Sequence, residues 1–265
     1  MIVARVVAVL VGAAVLLTAG WLLWLKTAAP SAGLQARLHT LGDRPCAALE
    51  VVGLRGHGDP PTDVGPDVRA LIQVLQPRLG TSRLDAFALP YEQGSDLGII
   101  PLPVPRDVRT GAAALADYVD VRATRCPGEP RVVVGQSEGA AAAHLAFPRI
   151  AHQVAATVLL GDPLHLSSAV YDENLGPAPN GVLVPWVGLG IDLSRLTWTD
   201  PVPRALASKV RSYCLPHDHV CGLDVFDRHP DAHLDYRRNP VVSGSGTRLL
   251  DLAVDFILAS VGTGH

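Results

Sequence analysis

One strand–turn–helix unit constrains the fold of this chain more than any other feature of its sequence. Residues 131–134 form a short strand-like run that ends in three valines, residues 135–139 read Gly-Gln-Ser-Glu-Gly, and the segment at 138–147 is rich in alanine. Glycine at both ends of the turn indicates that the strand and the helix pass close together, because a side chain would not fit between them. A strand that turns directly into a helix predicts one unit of a parallel sheet.

The remaining sequence repeats this alternation of apolar runs and helical patterns. Strands are predicted at residues 47–54, 84–89, 131–134, 154–160 and 210–213, and helices at 67–79, 107–122, 138–147 and 246–261. The strands are continuous apolar runs, which is typical of strands buried on both faces. We therefore expect an α/β fold with a parallel central sheet and helices on both faces.

Ser137 is the candidate nucleophile within this turn. A G-x-S-x-G pattern between a strand and a helix is typical of the nucleophile elbow, which lifts a serine above the carboxyl edge of a sheet. The free N–H groups and the dipole of the following helix then face the serine, where negative charge develops during acyl transfer. The alternative interpretation is a glycine-rich turn with an inert serine.

Composition excludes several other classes of protein. The chain has 265 residues, of which 48% are hydrophobic and 18% charged, so it can bury a sizeable core and is not globally disordered. Its formal net charge of −3 offers no basic excess to neutralise phosphates. We expect a monomer with no nucleic-acid partner.

Residues 1–26 predict a targeting segment. Residues 6–25 carry no charged side chain and are long enough to cross the hydrocarbon core of a bilayer as a helix. Tryptophans at 21 and 24 favour a retained signal anchor, whereas the small residues at 18–20 favour a cleaved signal peptide. Either way we expect export to the cell envelope, membrane-anchored or secreted, with a linker at 27–43 and one domain at 44–265.

The expected export would place the four cysteines in an oxidising compartment. An even number of cysteines in an oxidising compartment indicates disulfides, and the sequence allows three pairings. A zinc site is the alternative, because potential ligands crowd the region of the last two cysteines: His217, Asp218, His219, His229 and His233. Oxidised cysteines do not ligate zinc and no C-x₂-C pair is present, so we expect no metal.

A serine nucleophile needs a base and an orienting acid, and in this architecture the acid precedes the histidine in the chain. Asp218 and His233 are the candidates, since a disulfide between the cysteines that flank Asp218 would hold its loop rigid. Other residues of the same types lie nearby: Asp224, Asp227, Asp231, His217, His219 and His229. Spacing alone does not decide among them.

Several segments between residues 44 and 260 resemble the cutinase family, especially the cutinase-like proteins of actinobacteria. They are Cys214-x₃-Asp218-x₂-Cys221, His233-Leu234-x-Tyr236, Gly161-Asp162-Pro163 after a strand, the loop at 54–60 after the first strand, and the positions of Cys46 and Cys126. The resemblance implies a cutinase-like α/β-hydrolase fold without a cofactor. It also implies the following residue roles: a triad of Ser137, Asp218 and His233, oxyanion-hole N–H groups of Glu138 and His57, and the disulfides Cys46–Cys126 and Cys214–Cys221.

Three departures from the family pattern bear on activity. Gln136 and Glu138 flank the serine where the family has Tyr and Gln, and a carboxylate at 138 aimed inward would oppose the developing negative charge. His57 stands where the family has Ser or Thr, so a hydroxyl donor to the oxyanion is lost, a donor worth ~3 kcal/mol of barrier. The stretch from Gly161 to Cys214 is long, and its apolar segment at 180–196 is either a lid or an extra packed loop.

The sequence thus predicts an exported serine esterase that hydrolyses fatty-acyl, lipid-type esters through an acyl-enzyme. An acyltransferase or a phospholipase on the same triad is the alternative within the enzyme class. A non-catalytic lipid-binding protein of the envelope is the alternative outside it, supported only by His57 and Glu138.

Overall fold

The computed structural model of the chain describes residues 29–81, 84–94, 104–173, 175–176, 179–184, 200–222, 230–242 and 246–262. The apolar run at 6–25 and most of the apolar segment at 180–196 lie outside these ranges, so the predicted anchor and the predicted lid or loop have no structural description. Among the helices within them, none has the length and apolar character that a bilayer span requires.

Helices and strands alternate along the chain. They are α1 (Ala32–Gly42), β1 (Leu49–Leu54), α2 (Pro66–Arg78), β2 (Leu84–Ala88), α3 (Val104–Arg125), β3 (Arg131–Gln136), α4 (Glu138–Ile150), β4 (Ala156–Leu160), β5 (Asp172–Glu173), β6 (Val210–Tyr213) and α5 (Leu249–Gly262). Short 3₁₀ helices at Arg204–Lys209, Pro230–Leu234 and Tyr236–Arg238 join them. The five predicted strands and four predicted helices are present, with small shifts at their ends.

The strands form one parallel sheet in the order β2-β1-β3-β4-β6-β5. Strand β3 lies between β1 and β4 and extends two residues beyond its predicted end, because Gln136 pairs with Leu160. The two-residue strand β5 was not predicted, since so short a pairing leaves no hydrophobic pattern in the sequence. Because all these strands run the same way, their carboxyl ends share one edge of the sheet.

Helices cover both faces of the sheet, as the continuous apolar strands predict. Val133 in β3 packs with residues of α1, α3 and α4 on one face. Its neighbours Val132 and Val134 pack with residues of α2 and α5 on the other face. Successive side chains of a strand point to opposite faces, so a strand buried on both sides is apolar along most of its length. The charged residues Glu50 in β1 and Arg131 in β3 are buried as an ion pair.

Helix α1 lies within the segment interpreted from the sequence as a linker. The Ser31 hydroxyl caps it by accepting a hydrogen bond from the backbone N–H of Leu34 at 3.3 Å. Leu34 and Leu38 are buried in the core beside α3. Residues 32–42 therefore pack as part of the folded domain, because their apolar face finds a partner there.

Two disulfides cross-link the chain, Cys46–Cys126 and Cys214–Cys221. These are the pairs that the family resemblance implies. The first joins the segments that precede β1 and β3, at the amino end of the sheet. The second closes a short loop after β6, at the carboxyl edge.

Candidate active site

Ser137 lies at the carboxyl edge of the sheet, in the turn between β3 and α4. Its backbone angles are φ 55° and ψ −123°, an unusual conformation for a residue other than glycine. A Cβ on Gly135 would lie 2.4 Å from the carbonyl oxygen of Gly139, and one on Gly139 would lie 2.3 Å from that of Leu54. The two glycines thus permit the tight turn that the sequence predicts.

His233 reaches Ser137 from the 3₁₀ helix Pro230–Leu234, which follows the sheet in the sequence. Its Nε2 lies 2.8 Å from the Ser137 Oγ. The amide nitrogen of Gln136 lies 3.5 Å from the same Nε2. The imidazole is therefore placed to take a proton from the serine hydroxyl.

Asp218 holds the other side of the His233 ring. Its two carboxylate oxygens lie 2.9 and 3.0 Å from His233 Nδ1. The backbone N–H of Val220 and the hydroxyl of Tyr236 also donate to this carboxylate, at 2.8 and 2.7 Å. Burial opposes the charged form of this side chain, but these hydrogen bonds outweigh it and lower the pKa of Asp218. Asp218 therefore stays ionised beside the imidazole.

The loop closed by Cys214–Cys221 carries Asp218. The carboxylate oxygen that bonds Val220 also lies 3.4 Å from the backbone N–H of Cys221. Gly161 at the end of β4 passes beneath the pair, and a Cβ there would lie 3.0 Å from both the Asp218 carboxylate and the His233 ring. The Gly-Asp-Pro element thus leaves room for the histidine and its acid.

Tyr236 is a neighbour of Asp218 to which sequence reasoning gave no role. It is fully buried, and its hydroxyl donates to Asp218 while accepting a hydrogen bond from the backbone N–H of Leu215 at 3.1 Å. Its position three residues after His233, on the following 3₁₀ helix, was the available signal.

The two predicted oxyanion-hole residues, Glu138 and His57, meet through their side chains. Glu138 begins helix α4, so its backbone N–H has no acceptor within the helix. The Glu138 carboxylate is 1% exposed, and one of its oxygens lies 2.7 Å from His57 Nδ1. The inward-pointing carboxylate considered from the sequence is therefore present, but it contacts a histidine.

Gln93 is a third residue in this contact, because it also bonds Glu138. Its amide nitrogen donates to the second Glu138 oxygen at 3.1 Å and to the backbone carbonyl of Gly56 at 3.1 Å. Nearby, burial and the Glu138 charge raise the pKa of Asp107 to about 6, while the backbone N–H of Gly94 opposes this shift. Gln93 was not singled out in the sequence, since nothing in the sequence around it predicts contact with a residue 45 positions later.

The structure thus brings together the three predicted triad residues, and separately the side chains of the two predicted oxyanion-hole residues. Of the alternatives, Asp224, Asp227 and His229 lie outside the described residues. Within the ranges that are described, no group of three or more His, Cys, Asp or Glu side chains is arranged to hold a metal ion.

Comparisons with known proteins identify the family and the fold of the chain. The family model described as Cutinase matches residues 45–245, so the chain belongs to the Cutinase family. No curated protein matches the chain by sequence. The fold is that of a cutinase-like α/β-hydrolase, and the family makes the chain a carboxylic ester hydrolase.

Two solved structures illustrate the fold. The catalytic core of acetyl xylan esterase from Trichoderma reesei is 20% identical, with a TM-score of 0.61 over 82% of this chain and 100% of that one. A cutinase-like protein from Cryptococcus sp. is 18% identical, with a TM-score of 0.56 over 83% of this chain and 98% of that one.

Proposed function

We propose that the chain is a serine esterase in which Ser137, His233 and Asp218 form the catalytic triad. The observation that carries the proposal is the continuous hydrogen-bonded path from Ser137 Oγ through His233 to the Asp218 carboxylate, with contacts of 2.8 and 2.9 Å. The strained backbone of Ser137 supports it, because such strain persists where the surrounding fold imposes it.

The first half of the reaction acylates Ser137. The Ser137 hydroxyl attacks the ester carbonyl while His233 takes its proton, and Asp218 holds the ring and stabilises its positive charge. Backbone N–H groups of Glu138 and His57 donate to the oxyanion of the tetrahedral intermediate. The intermediate then expels the alcohol, which receives the proton from His233.

The second half releases the acid. A water molecule attacks the acyl-Ser137 carbonyl while His233 acts as the base, and collapse of this second intermediate returns the proton to the serine. Both halves use the same oxyanion donors, because the charge develops on the same carbonyl oxygen.

The substrate we propose is a fatty-acyl, lipid-type ester, and the protein we propose is exported. Leu234 is 47% exposed and directly follows His233, which supports an apolar rim at the site. Two disulfides support an oxidising compartment. Acetyl esters are the alternative substrates, on the analogy of the acetyl xylan esterases among its structural neighbours.

Hydrolysis of a p-nitrophenyl ester series by purified protein tests the proposal. Ser137→Ala, His233→Ala and Asp218→Asn are each expected to lower kcat by ~10³-fold or more. The exposed residues Ser168 and His39 provide matched controls as Ser168→Ala and His39→Ala, which are expected to keep full activity. A Ser137→Ala protein with unchanged turnover would contradict the proposed mechanism.

The dependence of activity on acyl-chain length distinguishes the substrate classes in the same assay. Activity that rises from the acetate toward longer acyl esters supports lipid-type substrates, whereas activity confined to the acetate contradicts them. Product analysis with an added alcohol separates hydrolysis from acyl transfer, since a transferase would form the new ester in preference to the free acid.

A further inference from the structure

The contact between His57 and Glu138 has no role in the mechanism proposed above. The Glu138 side chain is 1% exposed and that of His57 is 27% exposed, and they meet at 2.7 Å. Glu138 directly follows Ser137 in the chain. A buried carboxylate is costly unless it is paired with a positive charge or becomes neutral. The amide of Gln93 satisfies one of its oxygens, but a neutral amide does not compensate the charge.

The surroundings of Glu138 determine which group can compensate it. Asp107 lies near both members of the pair. The Glu138 charge raises the pKa of Asp107 and the His57 charge lowers it. Tyr91 is nearly fully buried, and burial followed by the Glu138 charge raises its pKa well above normal, which keeps it neutral. Arg55 donates to the backbone carbonyls of Asp59 and Tyr91 and stacks on the Tyr91 ring. His57 is the basic side chain that bonds the Glu138 carboxylate.

We propose that His57 is an imidazolium whose positive charge neutralises the buried Glu138 carboxylate, so that the neutral pair lets the oxyanion form beside it. Glu138 and His57 are positioning residues here, since they act through charge on a site formed by backbone N–H groups. The inference rests on the proposed function, because it needs an oxyanion next to Ser137.

As a consequence, the net charge of the His57–Glu138 pair changes with pH. While His57 is protonated the pair carries no net charge, and when it loses its proton the pair carries −1. A negative charge on the side chain of Glu138, the residue whose backbone N–H is a proposed oxyanion donor, repels the oxyanion but hardly affects a neutral ester. We therefore expect kcat to fall while KM stays nearly constant. Repulsion between unit charges in a partly buried site corresponds to a loss of about tenfold or more in rate.

The kcat–pH profiles of four proteins test the inference: the wild type, Glu138→Gln, His57→Gln and the double variant. In the wild type kcat is expected to fall about tenfold at alkaline pH. Glu138→Gln removes the negative charge, so its kcat at alkaline pH is expected to stay near the wild-type plateau. His57→Gln keeps a neutral donor but leaves the carboxylate uncompensated, so the loss is expected already at neutral pH. The double variant is expected to recover.

Matched controls separate charge from general damage. Glu92 and His152 are exposed, and Glu92→Gln and His152→Gln are expected to keep the wild-type profile. Circular dichroism identifies any variant that fails to fold. If His57→Gln fails to fold, the Glu138→Gln profile alone still distinguishes the outcomes. A wild-type profile that stays flat at alkaline pH, an alkaline loss that persists in Glu138→Gln, or a double variant no better than His57→Gln would overturn the inference. If Ser137→Ala keeps its activity, the proposed function fails instead.

Discussion

The Tyr236 hydroxyl helps to stabilise the ionised form of Asp218. The carboxylate is 1% exposed and would be poorly solvated without donors, and the Tyr236 hydroxyl supplies one of them at 2.7 Å. Burial, followed by the Asp218 charge, raises the pKa of Tyr236 well above normal, so this hydroxyl remains a donor at every physiological pH. The acid of the proposed triad is therefore positioned by a neighbour of the base.

Tyr236→Phe is expected to lower kcat by about tenfold with little change in KM, because a carboxylate with fewer donors orients His233 less firmly. Lost hydrogen bonding to a buried group is also expected to cost ~1–3 kcal/mol of unfolding free energy. Esterase kinetics and urea denaturation measure both effects.

Tyr118→Phe is the matched control, since Tyr118 is a fully buried tyrosine whose hydroxyl bonds Glu50, a residue of β1. It is expected to lose stability but keep kcat. Equal losses of kcat in the two variants would contradict a specific role for Tyr236.

The site residues were predictable to different degrees. Ser137 follows from the motif and its strand–helix context, because the local backbone defines the turn. Asp218 and His233 were chosen among neighbours through the family resemblance, and the structure brings both to Ser137. The contact between His57 and Glu138 was not predictable, since it depends on how the loop after β1 packs against α4.

At the scale of elements, the turn between β3 and α4 is the most constrained part of the fold. Gly139→Ala would place a Cβ 2.3 Å from the carbonyl oxygen of Leu54, and that backbone belongs to a central strand that cannot move away. We expect a loss of ~2–4 kcal/mol in unfolding free energy together with loss of esterase activity, measured by denaturation and kinetics.

Gly33→Ala is the control for this prediction, because a Cβ at that exposed position of α1 meets nothing within 4 Å. It is expected to keep activity and to gain ~0.4–1 kcal/mol of stability. A Gly139→Ala protein as stable and active as Gly33→Ala would show that the close approach is not required.

The two disulfides are expected to differ in what they stabilise. Cys46 and Cys126 are 80 residues apart, whereas Cys214 and Cys221 are only 7 apart. Loop-closure entropy is then about 4–5 kcal/mol for the first and about 2 kcal/mol for the second. Replacing the first pair by serine is expected to cost more stability, and replacing the second to cost more kcat, since it brackets Asp218. Denaturation and kinetics of both variants test this, and the opposite ranking of kcat would contradict it.

Element by element, the hydrophobic pattern predicted the sheet and its covering helices, because strands buried on both faces are mostly apolar. It did not predict that residues 32–42 would pack onto the domain. Leu34 and Leu38 make a weak apolar face, and packing in the core beside α3 buries it. Strand β5 is held by its pairing with β6, which no local pattern reveals.

At the scale of the whole molecule, one buried histidine links stability to pH. His144 in α4 is fully buried, and its Nδ1 lies 2.6 Å from Asp162 while its Nε2 lies 3.4 Å from Asp200. Burial opposes the charged form, but the two carboxylates outweigh it and raise the pKa of His144 to about 9. The folded protein therefore keeps this proton at a pH where the unfolded chain has lost it.

Unfolding free energy is expected to fall as pH rises from about 6.5 to about 9, because the folded state binds the extra proton across that window. The slope contributed by one proton is about 1.4 kcal/mol per pH unit. Urea denaturation across this range measures it. His144→Gln is expected to lose that part of the slope, whereas the exposed His152→Gln should keep it. The same slope in all three proteins would contradict this account of His144.

The buried ion pairs that stabilise the fold and the residues of the proposed active site lie at opposite edges of the sheet. At the amino end of the sheet, the buried Glu50 carboxylate pairs with Arg122 and Arg131, which tie β1, α3 and β3 together. At the carboxyl edge, the strained Ser137 lies in a turn and Glu138 lies at a helix start. The fold class and family followed from the sequence, because they depend on patterns that recur along the chain.

The most direct test of the central claim is to locate the nucleophile chemically. The folded protein is treated with a fluorophosphonate and the modified peptide is identified by mass spectrometry. One adduct is expected, on Ser137, and it should be absent when His233→Ala removes the base. An adduct on another residue, or none on a protein that hydrolyses esters, would contradict the account.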